Sequence, residues 1–252
     1  MSKNKVFITG ITGTLGVAFT DYLLNLGYNV SGIDHNEERL SAFKALRPNC
    51  DVRLGDFVDV DFSQSKPDVL LHLAAFKHID LAEENPSACI LNNVIKTHSL
   101  FQNAHRNKVA IVFMSTDKAV EPCSVYGYTK ALVEKMTLEL GGAFIRSGNI
   151  IASNGSVLNI WDSAITEGKP VKVTHKDMNR YFISPENLAK RAWTLYLNGE
   201  KKIIPEMDMN VNLLDLAKER IQSHGRDPET YPIEFTGLRR GEKLKEKLRE
   251  NE

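Results

Sequence analysis

The sequence predicts a doubly wound α/β protein, in which a parallel sheet carries helices on both faces and a small C-terminal lobe follows. Three observations carry that expectation. Apolar β-branched runs alternate with helical patterns through the first two-thirds of the 252 residues, the signature of successive βαβ units. Three of those runs (KVFIT, VLLHLA and AIVFMS) are apolar almost throughout, as strands buried on both faces are. Beyond Asn149 the segments become shorter and more polar, with Gly168, Pro170, Pro185, Pro205, Pro228 and Pro232 as breakers.

In order, the expected strands are residues 6–9, 29–33, 51–54, 69–73, 110–115 and 143–146, and the expected helices are 16–26, 37–45, 86–107 and 125–140. Residues 1–150 read as the main domain and 151–252 as the lobe that closes over the carboxyl ends of the strands. The tail GEKLKEKLRENE is charge-rich and reads as a solvated last helix. Lys and Arg together number 32, as do Asp and Glu. That balance argues against a nucleic-acid partner. Cys50, Cys89 and Cys123 show no C-x-x-C spacing and read as reduced thiols. No apolar run is long enough to span a bilayer and no leader pattern precedes the first strand, so a soluble, cytoplasmic protein without membrane partners is expected.

The segment VFITGITGTLGVAF sets T-G-x-x-G-x-x-G between a strand and an apolar-periodic helix. Gly10 allows the tight turn, Gly13 lets backbone N–H groups approach a pyrophosphate, and Gly16 lets helix and strand pack closely. The helix N-terminus adds donors and a positive dipole end. This is the Rossmann-type dinucleotide turn, with Thr12, Thr14 and Leu15 as further contacts. Asp34 ends the second strand, where a carboxylate accepts from the adenosine ribose hydroxyls. A 2′-phosphate would meet like charge there, so NAD is expected, with NADP the alternative that His35 and Arg39 leave open. The plain reading of Asp34 is a turn-forming residue before a helix. Asp56, beside Phe57, is similarly placed to meet the adenine amino group, with an Asp-mediated turn as its plain reading. Ala74 and Ala75, after the fourth strand, complete this set.

The most informative stretch is VFMSTDKAVEPCSVYGYTKALVEK. Thr116, Asp117 and Lys118 lie at the carboxyl end of a buried strand, where open α/β sheets bind ligands. Tyr126 and Lys130 are four apart on a predicted helix and share one face. A lysine ammonium beside a phenol favours the phenolate, so the Tyr126 pKa is expected to fall and the residue to act as a base. Tyr128 competes, but no lysine stands four residues beyond it. Asp117 and Lys118 alone would read as a surface turn with a weak ion pair. Both reach one site only if the chain bends away from strand geometry, since neighbours in a strand face opposite ways.

Together these residues resemble the extended short-chain dehydrogenase/reductase superfamily. Within it they are most similar to the polysaccharide-biosynthesis group of inverting UDP-N-acetylglucosamine 4,6-dehydratases. Four segments carry the resemblance: HLAAFKHIDLAEENPSACILNNV, STDKAVEPCSVYGYTK, RSGNIIASNGSVLNIW with GKPVKVTHKDMNRYFIS, and TGLRRGEKLKEKL. The resemblance implies an NAD(P)-dependent enzyme that oxidises carbon 4 of a UDP-sugar, with Tyr126 and Lys130 serving that step. Lys118 is then the base at carbon 5 and Asp117 the acid at the carbon 6 hydroxyl, and carbon 5 is inverted. Lys77 and Asn93 match positions near the active site and, with Tyr126 and Lys130, are further implied cofactor contacts. The implied substrate contacts are Lys77, Asn149, Ser156, Val157, Arg180, Arg239 and Glu242, the arginines facing the pyrophosphate. No His, Asp or Glu cluster has ligand spacing, and no metal is expected. The helices at 86–107 and 125–140 imply a homo-oligomer by analogy.

Some residues depart from the group's pattern. Asn154 stands where it has arginine, Arg240 where it has proline, and Glu206 where lysine is frequent; these bear on sugar identity and affinity. Little lies between Asp56 and Pro67, where relatives carry a helix. A UDP-sugar 4-epimerase of the same fold and a non-catalytic NAD-binding regulator are the competing expectations.

Overall fold

The computed structural model describes residues 5–153 and 156–251. The chain opens with β1 (Lys5–Thr9), α1 (Thr14–Asn25), β2 (Asn29–Asp34), α2 (Glu37–Leu46) and β3 (Asp51–Leu54). A one-turn α3 (Phe62–Ser65) leads into β4 (Val69–His72), followed by α4 (Ile79–Glu84) and α5 (Pro86–Ile90). A π-helical turn, Leu91–Lys96, joins α5 to α6 (Thr97–Arg106). Then come β5 (Ala110–Met114), α7 (Val125–Glu139), β6 (Ala143–Ile145) and β7 (Asn149–Ile150).

The main sheet runs β3-β2-β1-β4-β5-β6 with a later strand, β10 (Lys202–Ile203), at its edge. Every pairing in it is parallel. Strand alternation explains the continuous apolar runs. Val6, Ile8, Val69, Leu71, Val112, Met114 and Ile145 pack on one side with Phe19 and Leu23 of α1. Phe7, Leu70, Ile111, Phe113 and Phe144 pack on the other with Leu100 and Phe101 of α6 and Val133 of α7. Both faces are dry, so neither register can be polar. The doubly wound parallel α/β fold is therefore the one observed.

The smaller lobe is built from α8 (Val157–Thr166), β8 (Val171–Val173), β9 (Asn179–Ile183), β11 (Met209–Asn212), α10 (Leu213–Ser223) and β12 (Ile233–Phe235). β7, β9 and β11 form a three-stranded sheet, and β8 pairs with β12. Its own core holds Trp161, Ile165, Val171, Phe182, Leu216 and Ile221. Between β9 and β11 the chain returns to the main domain through α9 (Pro185–Leu197), which packs on α1.

Three expectations need correction. The stretch read as one helix at 86–107 is divided, because the π turn inserts an extra residue between α5 and α6. The segment between Asp56 and Pro67 does hold helical structure, in a 3₁₀ turn at Phe57–Asp59 and in α3, each capped by an aspartate. The tail is not helical, and it is solvated only in part. Residues 241–250 run without helix, with Glu246 and Leu248 buried, because the carbonyls of Lys243, Leu244 and Leu248 are taken by arginines of the body. Among the described residues no helix is long and apolar enough to cross a membrane.

Candidate active site

The glycine turn lies between β1 and α1, at the carboxyl edge of the sheet. Gly10 has φ +68°, and a Cβ there would sit 3.1 Å from the Ala74 backbone. Gly13 caps α1 with no side-chain hydrogen bond, and the first-turn amides of the helix point toward the turn. At Gly16 a Cβ would come within 2.4 Å of the carbonyl oxygens of Gly10 and Ile11. These are the requirements of a backbone cradle for phosphate. Asp34 is buried, and its Oδ2 accepts from the Thr12 amide at 3.1 Å and the Thr12 hydroxyl at 2.7 Å. Oδ1 accepts from the Asn36 amide at 3.1 Å. Thr12 thus spends both donors on steering the carboxylate toward the turn. Ala74 and Ala75 follow β4 beside Gly10, and the Ala74 amide donates to the Thr9 hydroxyl at 3.3 Å.

Asp56 caps the 3₁₀ turn through the Val58 amide and pairs with Lys96. Partial burial pushes its pKa up, but the Lys96 ammonium and the Val58 amide outweigh this and hold it below the usual value. Phe57 belongs to the core, its ring 4.9 Å from that of His72; burial leaves only its backbone to meet a ligand. Asn93 lies in the π turn, and its amide is committed. It accepts from the Phe76 amide at 2.9 Å, donates to the Phe76 carbonyl at 2.8 Å, and reaches Thr129 of α7 at 3.4 Å. It braces the loop after β4, which carries Lys77, against the tyrosine helix.

The reactive pair lies where β5 ends. The chain leaves strand geometry after Met114, and Thr116 caps a 3₁₀ turn at Asp117–Ala119. This is the bend that brings both side chains to one place. Lys118 Nζ donates to Asp117 Oδ1 at 2.9 Å and to Asn149 Oδ1 at 3.5 Å. The Thr116 hydroxyl donates to the same Asp117 oxygen at 2.9 Å. Asp117 is fully buried, and its Oδ2 has no hydrogen-bond partner among the described residues. A buried carboxylate oxygen without a donor is costly unless something else meets it.

Tyr126 and Lys130 are both buried on α7, where Ser124 caps the helix and accepts from the Gly127 amide. Lys130 Nζ donates to the Met114 carbonyl at 2.7 Å and lies 5.9 Å from the centre of the Tyr126 ring. The expected fall in the tyrosine pKa is not observed. Burial, joined by the Asp117 carboxylate, pushes the phenol well above its usual value, and the Thr116 hydrogen bond opposes this only in part. Burial also pulls Lys130 down to about 7, so the ammonium is weakened where the tyrosine would use it.

The lobe residues are distributed differently. Asn149 is the first residue of β7 and meets Lys118. Ser156 caps α8 with its hydroxyl buried, and Val157 begins that helix. Arg180 lies under the tail. It is buried, donating to the carbonyls of Asn179, Lys243 and Leu244 at 2.8, 2.7 and 3.1 Å. Arg239 is exposed, 3.9 Å from Asp80, and its amide donates to Glu242 at 3.0 Å. Arg240 pairs with Glu83 and Glu206 is exposed; Asn154 lies outside the described residues. Among the described residues no group of three His, Cys, Asp or Glu is placed to hold a metal ion.

Sequence reasoning missed three groups around the pair. Glu134 of α7 accepts from the Ser115 hydroxyl at 2.5 Å and from Arg146 at 2.6 and 3.0 Å. Arg146 also holds the tail, through the Leu248 carbonyl at 2.9 Å and the Glu250 carboxylate at 3.0 Å. Glu246, from that tail, lies 4.0 Å from Lys118 Nζ. Glu246 stands in the GEKLKEKL motif, but its charge-rich setting reads as solvated.

The family model described as "Polysaccharide biosynthesis protein" matches residues 6–252. The capsular polysaccharide biosynthesis protein CapD of Staphylococcus aureus is 39% identical over 98% of this chain, but the match spans only 45% of that protein's length. An inverting UDP-N-acetylglucosamine 4,6-dehydratase of Campylobacter jejuni is 29% identical over 97% of this chain and 77% of its own. Among solved structures, Pen from Bacillus thuringiensis superposes with TM-score 0.88 at 26% identity, covering 98% of this chain and 83% of that one.

Proposed function

We propose, starting from a chain that belongs to the polysaccharide biosynthesis protein family, that it is an NAD-dependent nucleotide-sugar 4,6-dehydratase acting on UDP-N-acetylglucosamine with inversion at carbon 5. The observation that carries this reading is the buried Asp117–Lys118 pair beside Tyr126 and Lys130. An enzyme that only oxidises and reduces carbon 4 needs the second pair; one that also removes water needs the first.

The glycine turn fits a dinucleotide by its unsubstitutable Gly16, its open helix end and the Asp34 carboxylate steered by Thr12. That carboxylate favours NAD over NADP. The same reading assigns cofactor contacts to Gly10, Thr12, Gly13, Thr14, Leu15, Gly16, Asp34, Asp56, Ala74 and Ala75, and to the Phe57 backbone. It divides the chain near residue 150 into a dinucleotide domain and a substrate lobe. A bound nicotinamide supplies a reversible hydride acceptor with positive charge, which opposes the upward push on Tyr126. Tyr126 then takes the proton of the carbon 4 hydroxyl, and Lys130 orients the cofactor side of the site. The ketone at carbon 4 acidifies the carbon 5 proton, which Lys118 removes as the neutral amine, its own extra proton having passed across the 2.9 Å hydrogen bond to Asp117. Asp117 gives a proton to the carbon 6 hydroxyl as it leaves as water, and its unpartnered Oδ2 is the oxygen for that contact. Asn149, Ser156, Val157 and Lys77 are the proposed sugar and nucleotide contacts. Arg180 serves through the tail it holds. Arg239 and Glu242 line the rim.

The test is mass spectrometry of reactions with a panel of UDP- and dTDP-sugars. Loss of one water without net change in NADH is expected. A product of unchanged mass would move the assignment to the 4-epimerase reading, which the Tyr126–Lys130 half of the site supports by itself. No turnover of any sugar would leave an NAD-binding regulator. A homo-oligomer is supported by exposed Ile90, Leu91, Ile95, Tyr128 and Leu132, on α5, the π turn and α7, which pack side by side.

A further inference from the structure

The C-terminal strap, residues 241–250, crosses from the small lobe to the main domain and is tied to both. Arg180 of β9 donates to the carbonyls of Lys243 and Leu244. Arg146, just past β6, donates to the carbonyl of Leu248 and to Glu250. Lys243 Nζ donates to the Val120 carbonyl at 2.7 Å, and Lys247 pairs with Glu121 at 2.7 Å, both just beyond the reactive turn. At Gly241 the strap passes so close to the cap of α7 that a Cβ would lie 2.7 Å from that of Ser124.

This anchoring delivers one carboxylate into the site. The Glu246 side chain is 1% exposed, its Oε1 4.0 Å from Lys118 Nζ and its Oε2 2.9 Å from Lys243 Nζ. Lys118 Nζ therefore lies within 4.0 Å of two buried carboxylates, Asp117 from its own turn and Glu246 from the strap. A lysine stem has four rotatable bonds, and Asp117, its neighbour in sequence, with the long 3.5 Å contact to Asn149, leaves Nζ freedom that a further charged contact removes. We propose that Glu246 is a positioning residue for Lys118: the strap carboxylate sets the place of Nζ beside Asp117, so that it faces carbon 5 of the sugar once its extra proton has passed to Asp117. The role rests on the carbon 5 chemistry proposed above.

A purely structural staple would show the same hydrogen bonds, so the test must read Lys118 itself. Glu246→Gln keeps the volume and removes the charge, and Glu246→Asp is the conservative control. The first readout is independent of turnover: competitive acetylation of the folded protein by acetic anhydride, followed at the Lys118 peptide by mass spectrometry. A carboxylate near an ammonium suppresses its reactivity. Glu246→Gln is expected to raise Lys118 labelling threefold or more relative to surface lysines, with Glu246→Asp close to wild type. Unchanged labelling in Glu246→Gln overturns the proposal whether or not the protein turns over any sugar. The second readout uses UDP-N-acetylglucosamine. Glu246→Gln is expected to lower kcat and carbon 5 deuterium exchange tenfold or more, with KM within twofold and transient absorbance at the reduced-nicotinamide band retained. Loss of that transient in step with exchange, or a raised KM with kcat intact, makes Glu246 a staple of the fold. Failure of the wild type to release water sinks the dehydratase reading and leaves the labelling result standing.

Discussion

Replacing Gly16 with alanine tests how far the glycine turn is dictated by contact distances. The new Cβ would lie 2.4 Å from two backbone oxygens and 2.5 Å from the Ile11 carbonyl carbon. Nothing soft is there to yield, because all three atoms are backbone. Either α1 moves off the turn or the turn unwinds, and overpacking of this kind costs about 1–3 kcal/mol. For a chain of this size that is a fall in Tm of roughly 2–12 °C. The same displacement carries the first-turn amides away from the pyrophosphate, and loss of one hydrogen bond to a charged group, about 1.5–3 kcal/mol, weakens NAD tenfold or more. Gly141→Ala is the control. Its φ is +74°, so alanine is strained, but nothing lies within 4 Å of its Cβ; it should lose a little Tm and bind NAD as the wild type does. Differential scanning fluorimetry and isothermal titration with NAD read both effects. If Gly16→Ala keeps both Tm and NAD affinity within error, close packing at this glycine is not what shapes the site.

His72 is fully buried, bonded to the Thr9 hydroxyl at 2.7 Å and to that of Thr97 at 3.0 Å, and burial pulls its pKa down to about 3. Above pH 6.5 both folded and unfolded forms are neutral and it contributes nothing. As pH falls below that value only the unfolded chain gains a proton, so stability drops by about 2 kcal/mol at pH 5. His72→Gln should flatten the urea-midpoint profile between pH 7 and 5, and an unchanged slope would refute this. Glu134→Gln leaves Arg146 buried with only the exposed Glu250 carboxylate as a charged partner; breaking a buried pair costs about 3–5 kcal/mol. Chemical denaturation checks that loss, and limited proteolysis should find the strap near Leu248 cleaved first. Leu132→Glu places a charge in the exposed apolar face of α7 and should shift the particle to monomer by analytical ultracentrifugation, with the fold intact by circular dichroism.

Strands were legible because two buried faces leave the core strands almost no polar residues, and the parallel order follows from the alternation with helices. The glycine turn and the Tyr126–Lys130 spacing were legible for the same reason: each is a local pattern with a local cause. What stayed hidden depends on contacts across the chain. The π turn breaks no periodicity strongly enough to be read from residues 86–107, yet it aims Asn93 at Phe76, 17 positions away. The tyrosine pKa was misjudged because spacing shows the lysine beside it but not the burial around both.

The strap is the instructive failure. Its five charged residues among the eight of GEKLKEKL have the composition of a solvated helix, and composition is a sound guide when each charge can reach water. Here the carbonyls of Lys243, Leu244 and Leu248 meet arginines 63, 64 and 102 positions away, and a backbone whose carbonyls are taken from outside cannot also close helical turns. In the bent, non-helical segment Glu246 and Leu248 turn inward, Lys245 faces outward and Lys247 lies half-buried against Glu121. The choice between helix and strap is therefore made by Arg146 and Arg180, which take carbonyls of the tail from outside it. These two buried cations of the body hold the strap in place, and with it the carboxylate that lies 4.0 Å from Lys118.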